Sequence, residues 1–100
     1  MASIIRGTTP TIKYTFSTIN VEDITTAYLS IKGATSSLEK SLTEATVGED
    51  FIAWTLTQAE TLALGDCISI MVNWLLENGT RGASNKSVFM IEDNYKDVII

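Results

Sequence analysis

The chain has 100 residues, of which 45% are hydrophobic and 19% charged, with a formal net charge of −5 and no histidine. This length suits one domain with one core, and the charged fraction is below the roughly 25% typical of soluble domains, so we expect part of the apolar surface to meet a partner. The seven Lys and Arg are scattered, which argues against a nucleic-acid surface, and the lack of histidine excludes Ser-His and Cys-His catalytic pairs.

The sequence predicts no secretory signal and no membrane span. Residues 1–3 lack the basic segment and apolar run of a secretory signal, and no apolar stretch approaches the roughly 18 residues of a membrane span. Cys67 is the only cysteine, so no intrachain disulfide can form, and its place in an apolar run predicts a buried structural thiol. We therefore expect folding in a reducing cytoplasm and no membrane partner.

Two short strands are predicted at the start of the chain, at residues 3–6 and 11–16, with Gly7 and Pro10 between them. In the second strand two sets of side chains alternate, Ile12, Tyr14 and Phe16 on one face and Thr11, Lys13 and Thr15 on the other. This alternation is typical of a half-buried strand. Because Pro10 fixes a bend and removes a backbone donor, the first strand is free to join another sheet edge or a neighbour.

The middle of the chain reads as three further strands. They are predicted at residues 26–32, 38–43 and 51–56, joined by a turn at 17–25, a loop at 33–37 and a turn at 46–50. Lys40 shares a face with Leu38 and Leu42, and an inward-pointing lysine protects an edge strand from pairing. The strand at 51–56 is apolar on both faces, which predicts a central position.

A helix and two long strands are predicted next. Thr57 and Glu60 have the spacing of a capping box, which predicts a short helix over 58–64 that ends at Gly65. A strand at 67–77 turns at Asn78-Gly79, a strong hairpin signal, into a strand at 80–92 with a bulge near Gly82 and Ala83. A polar turn then leads to an apolar tail at 95–100.

These elements predict an all-β fold. About seven strands at a spacing of 8 to 12 residues, with one short helix between the fifth and sixth, are the pattern of an immunoglobulin-like antiparallel β-sandwich. The cysteine pair of antibody domains is missing, so the likeness is one of architecture. We predict a single domain over residues 1–100, with 95–100 as a docking tail.

The sequence predicts no catalytic, cofactor-binding or metal-binding residues. Three acidic doublets, Glu22-Asp23, Glu49-Asp50 and Glu92-Asp93, fall in predicted turns, where solvated charges are the expected role. None has the spaced oxygen ligands of a calcium loop, and no glycine-rich segment has the setting of a phosphate loop. Trp54 and Trp74 lie in apolar strands, which favours the core or an interface over a carbohydrate-stacking platform.

The last two strands carry more apolar side chains than one core can cover. Side chains at odd and even positions of a strand point to opposite faces. The odd-numbered apolar residues are Met71, Leu75, Phe89 and Ile91, and the even-numbered ones are Val72, Trp74, Val88 and Met90. A sheet packed under the helix or tail would cover the surplus, and so would an oligomeric or docking surface. The predicted protein-interface residues are Met71, Leu75, Phe89, Ile91, Val98, Ile99 and Ile100.

Three segments carry a resemblance to a known family. Residues 4–12 (IIRGTTPTI), 55–62 (TLTQAETL) and 79–84 (GTRGAS) resemble the N-terminal immunoglobulin-like domain of the phage baseplate upper protein family. The resemblance implies a non-enzymatic virion protein, assembled in the bacterial host cytoplasm, that forms homo-oligomers or symmetric rings with other virion structural proteins. Members of that family continue into helical and receptor-binding-protein-attaching regions, so a domain of this size is expected to be an adaptor, anchor or decoration in the tail, neck, baseplate or capsid.

Two other function classes stay open at this point. A cell-surface or carbohydrate-binding module predicts a secretion signal and an exposed aromatic platform. A small enzyme predicts a convergent polar pocket. A histidine-free chain offers little from which to build such a pocket.

Overall fold

The computed structural model describes residues 2–100 and shows a mostly β protein. Its strands, in chain order, are β1 (Ala2–Ile5), β2 (Thr11–Thr15), β3 (Ile24–Gly33), β4 (Ser37–Ser41), β5 (Thr46–Val47), β6 (Phe51–Thr55), β7 (Cys67–Leu76), β8 (Arg81–Ala83) and β9 (Ser87–Glu92). One helix, α1 (Gln58–Leu62), lies between β6 and β7. Two 3₁₀ turns occupy Val21–Asp23 and Leu42–Glu44.

The strands form one mixed sheet and one antiparallel sheet, which pack as a sandwich-like globule. A six-stranded sheet has the order β1-β9-β7-β3-β4, with β8 also paired to β7, and a three-stranded sheet has the order β2-β6-β5. The expected β-rich sandwich is confirmed at this level. The prediction that all pairs are antiparallel is wrong, because β1 runs parallel to β9.

The kink between the first two strands carries the chain from one sheet to the other. β1 belongs to the six-stranded sheet and β2 to the three-stranded sheet, as the bend at Gly7 and Pro10 allows. Gly7 has a φ of +85°, in the left-handed region that glycine tolerates best. The Thr8 N–H donates to the Ile5 carbonyl at 3.3 Å and closes the turn.

The core lies between the two sheets and is centred on aliphatic and aromatic side chains. Its members with almost no exposed surface are Ala27, Leu29, Ile31, Ile52, Trp54, Leu56 and Ile68. Trp74 of β7 stacks on Tyr14 of β2, with ring centroids 5.5 Å apart, and meets Phe16 edge-on at 5.0 Å. The indole of Trp74 also lies over Gly82, where an added Cβ would come within 2.5 Å of the ring. Glycine at 82 therefore leaves the room that this aromatic cluster needs.

Most predicted elements are found with shifted ends. The predicted turn at 46–50 begins with the short strand β5, and the predicted strand at 80–92 divides into β8 and β9. The capping box is present, but α1 ends at Leu62, and Gly65 is not in the left-handed conformation. The prediction that Gly65 ends the helix in a left-handed conformation is therefore wrong. The residue that caps the helix is Ala63 instead, and its N–H donates to the Ala59 carbonyl.

A one-residue change of register between β8 and β9 decides which side chains of β9 face inward. β8 pairs Ala83 with Asn73, whereas β9 pairs Phe89 with Ile68. Between them Ser84 bonds to both backbone groups of Val72. Because side chains alternate with a period of two, this shift turns the odd-numbered residues of β9 toward the core.

Candidate assembly surfaces

The described residues contain no cluster of side chains suited to holding a metal ion. Across residues 2–100 no three His, Cys, Asp or Glu side chains lie close enough together to hold a metal ion. The acidic doublets at 22–23, 49–50 and 92–93 are exposed, as solvated charges would be, but Glu92 is the last residue of β9 and does not lie in the predicted turn. No helix in this part of the chain has the length and apolar character needed to cross a membrane.

One ion pair ties β4 to α1. β4 is an edge strand of the six-stranded sheet, and its Lys40 side chain points inward and is only 10% exposed. Lys40 Nζ lies 2.9 Å from Glu60 Oε1 and donates to the Thr55 carbonyl at 3.4 Å. The prediction that an inward lysine marks an edge strand is confirmed, and this edge is joined to the opposite sheet.

Glu60 is held in its charged form by two partners. Burial raises the pKa of its carboxyl group, but the hydrogen bond from the Thr57 backbone N–H and the Lys40 ammonium lower it more, so the pKa lies below the ordinary 4.5. The N–H of Thr57 donates to Glu60 Oε1 at 2.8 Å, and the Glu60 N–H donates to Thr57 Oγ1 at 3.2 Å. These two bonds stabilise the first turn of the helix. The lowered pKa of Glu60 is therefore explained by a structural role.

Apolar side chains lie on the outer face, which is the face of the six-stranded sheet turned away from the three-stranded sheet. Ile5, Tyr28, Val88 and Met90 are 42 to 48% exposed. Val88 and Met90 lie opposite Ser69 and Cys67. Two charged residues border this apolar group, because Lys32 pairs with Ser69 on the far side and Glu92 follows Met90 on the same face. Toward the other end of β7 on the same face, Tyr28, Leu75 and Arg81 line a separate shallow trough of about 380 Å³. Exposed apolar residues in such a group are typical of a protein-binding surface.

The predicted interface residues are divided between the two faces of the sheet. Met71 and Leu75 alternate with the buried residues of β7 and lie half-buried on the outer face. Phe89 and Ile91 do not: Ile91 is 5% exposed and belongs to the core, and Phe89 packs against it. Neither residue therefore lies on the outer face with Met71 and Leu75, and the register change before β9 is the physical reason. Val88 and Met90 take the outer positions instead.

Cys67 also lies on the outer face. It pairs with Met90, and its neighbour Ile68 points into the core, so the thiol is exposed. The prediction of a buried thiol is therefore wrong. An apolar strand does not bury both of its faces when only one face of the sheet is covered.

The 95–100 segment leaves the globule after β9 and exposes its apolar side chains. Val98, Ile99 and Ile100 are 51, 62 and 84% exposed. Its main attachment is at Ile100, whose N–H donates to Gln58 Oε1 at 2.8 Å and whose carbonyl accepts from Gln58 Nε2 at 3.1 Å. Three adjacent apolar residues thus lie in solvent, held chiefly by one side-chain amide.

An open cleft, here called the β2 groove, runs along the side of the sandwich beside β2. It has a volume of about 650 Å³. Its apolar lining comes from both sheets and from Pro10, and it includes Ile12, Tyr14, Ile70, Val72 and Phe89. Ser84, Asn85 and Ser87 form a polar rim. The sequence predicted the strands but not this opening, because the groove depends on how far the smaller sheet covers the larger one.

The two tryptophans do not form a surface platform. Trp54 is fully buried, and its Nε1 donates to the Ser41 carbonyl at 2.9 Å, while Trp74 is 8% exposed. Their predicted place in the core is confirmed. No protein-family model, curated protein or solved structure matches this chain.

Proposed function

We propose that this chain is a non-enzymatic structural protein of a tailed-phage virion, built on an immunoglobulin-like sandwich and assembled through protein–protein contacts. The observation that carries the assembly role is the group of exposed apolar side chains on the outer face, Ile5, Val88 and Met90. A β-sheet face of this kind lacks the polar convergence of an active site and suits the apolar centre of an interface.

The resemblance of three segments supports the virion assignment. These segments lie at the kink between β1 and β2, at the capping box that begins α1, and at the hairpin between β7 and β8. Each shapes the backbone and none supplies a reactive group. They therefore support a shared scaffold and, by analogy with the baseplate upper protein family, a role in particle assembly.

The presence of the protein in virions is tested on particles from cells that carry the gene. An antibody against the chain is used on density-banded particles and on the unassembled fraction. We expect the protein in the particle band at a fixed ratio to the major structural proteins. Its restriction to the unassembled fraction would contradict the virion role.

The surface is tested with Met90→Lys and Val88→Lys, using Ser37→Lys as a control at an exposed position of β4, the edge strand farthest from β9 and β1 in the same sheet. An apolar contact predicts that the first two variants lose incorporation at least tenfold while their melting temperatures stay near wild type. The control should be incorporated normally. Equal incorporation of all three would mean that assembly uses another surface.

A further inference from the structure

The β2 groove lies beside a strand edge with free hydrogen-bonding groups. β2 is at one end of the three-stranded sheet and pairs only with β6 among the described residues. The N–H of Leu56 donates to the Pro10 carbonyl at 2.9 Å, and the N–H of Phe16 donates to the Asp50 carbonyl at 2.7 Å. In an antiparallel pair, alternate residues exchange these bonds with the partner strand. Even-numbered residues of β2 therefore bond to β6.

The odd-numbered residues of β2 present their backbone groups to the free edge. These residues are Thr11, Lys13 and Thr15. Their side chains lie on the exposed face of the sheet, whereas Ile12 and Tyr14 point toward the apolar groove. A strand added at this edge would gain backbone hydrogen bonds and would bury alternate side chains in the groove.

We propose that the β2 groove accepts residues 97–100 of a second copy of this chain as an added antiparallel strand. This segment fits because it carries three adjacent exposed apolar residues and one acidic residue, Asp97. The proposal deepens the assembly role and rests on it, since it names the partner and one of its contacts.

Charge complementarity selects the register. When Asp97 lies opposite Lys13, both side chains are on the exposed face, where cross-strand pairs of opposite charge are favourable. Lys13 Nζ already lies 4.2 Å from the centre of the Phe51 ring on that face. In this register Val98 and Ile100 lie opposite Ile12 and Pro10 and enter the groove, while Ile99 stays outside.

The segment can leave its present position at small cost. Its apolar side chains are exposed, and Ile100 is held by hydrogen bonds to Gln58 that water can replace. Strand addition would cover the apolar side chains of the segment and the lining of the groove together, so the exchange removes apolar surface from water on both partners.

The test compares inward and outward positions of the same segment in the full chain. Sedimentation equilibrium at micromolar concentrations is measured for Val98→Lys and Ile100→Lys, with Ile99→Lys as the matched control. We expect the self-association constant to fall at least tenfold for the two inward variants and to change less than threefold for the control. Equal losses for all three would contradict the register, and no loss for any of them would contradict the proposal.

The acceptor side is tested with charge reversal and with a peptide. Lys13→Glu should weaken association at least threefold, and adding Asp97→Lys in the same chain should restore it. A synthetic peptide of residues 95–100 should bind the monomeric Val98→Lys chain and broaden the amide signals of β2. No binding by the peptide, or no rescue by the double variant, would overturn the proposal.

The outcomes separate this inference from the proposed function. If the full chain associates but neither the segment variants nor Lys13→Glu change it, strand addition is wrong and assembly through the outer face stands. If the chain is monomeric and its own segment protects the β2 edge, the second copy is wrong. Absence from purified particles would contradict the virion role, whatever the segment binds.

Discussion

The two sides of the sandwich, one at β4 and one at β2, differ in how their edge strands are covered. On the β4 side, Lys40 reaches Glu60 and Trp54 bonds to the Ser41 carbonyl, so the two sheets are joined across the edge. On the β2 side, the aromatic cluster around Trp74 joins the sheets at one end of the strand, and the other end is open along the β2 groove. One side is closed by specific polar contacts, and the other has the free groups that a further strand needs.

This difference shows where stability and assembly are expected to lie. A buried lysine at an edge discourages pairing with another chain, whereas an edge beside an apolar groove invites it. Substitutions on the closed side should therefore lower the free energy of unfolding. Substitutions on the open side should change association more than stability, except where they disturb the aromatic cluster.

The largest expected effect comes from opening the closed side. Trp54→Ala removes a fully buried indole and its bond to Ser41, which should lower the free energy of unfolding by about 3 to 5 kcal/mol. Urea denaturation measures this loss. Val47→Ala, at an exposed position of the same sheet, should change it by less than about 0.5 kcal/mol. A loss below about 1 kcal/mol for Trp54→Ala would show that this contact does not close the side.

The next effect comes from the cluster that ends the β2 groove. Gly82→Ala places a methyl group where the Trp74 indole lies, and the crowding should cost about 2 kcal/mol of stability. Ala83→Ser, at the exposed neighbouring position, serves as the control. Near-UV circular dichroism should also change for Gly82→Ala, because Trp74 and Tyr14 lose their stacking. An unchanged spectrum would mean that the indole has room to spare.

A smaller effect is expected from the Lys40–Glu60 pair. Glu60→Gln keeps an acceptor for the Thr57 N–H but leaves the ammonium of Lys40 without its counter-charge, so stability should fall by about 1 kcal/mol. Lys40→Met added to this variant should recover most of the loss, since the buried stem stays apolar. The double-mutant cycle measures the coupling directly. A coupling of zero would contradict the role assigned to this pair.

The smallest effect is the pH dependence of the same contact. Because the folded protein lowers the pKa of Glu60 below 4.5, the carboxylate contributes stability that is fully present above the unfolded pKa. This contribution is lost as the pH falls through the lowered folded pKa. The difference in stability between wild type and Glu60→Gln should therefore shrink on acidification. A difference that grows at low pH would have the wrong sign.

Local signals in the sequence predicted the closed side well. Lys40 between two leucines indicated an inward lysine on an edge strand, and the spacing of Thr57 and Glu60 indicated the capping box; both are present. Each signal depends only on residues that lie within four positions of each other in the sequence. The contact between Lys40 and Glu60 depends on tertiary packing, and the spacing of residues along the sequence does not predict it.

The outer face was harder to predict because it depends on register. Parity along the sequence grouped Phe89 and Ile91 with Met71 and Leu75, but one extra residue between β8 and β9 reverses that grouping. The glycine and alanine at 82–83 indicated an irregularity near this point without fixing where it falls. The β2 groove could not be predicted from the sequence, because it results from the unequal sizes of the two sheets and not from any local motif.

Amide hydrogen exchange along β2 tests the central claim most directly. The N–H groups of Thr11, Lys13 and Thr15 face the free edge, whereas those of Ile12 and Tyr14 bond to β6. In the proposed register Lys13 and Thr11 lie opposite Asp97 and Ile99, so their amides should exchange rapidly in dilute protein and become protected as the concentration rises. Thr15 lies beyond the added strand and should exchange rapidly throughout, while the amides of Ile12 and Tyr14 are protected throughout. If the chain associates and the amides of Thr11 and Lys13 still exchange rapidly, the open side is not the site where copies meet.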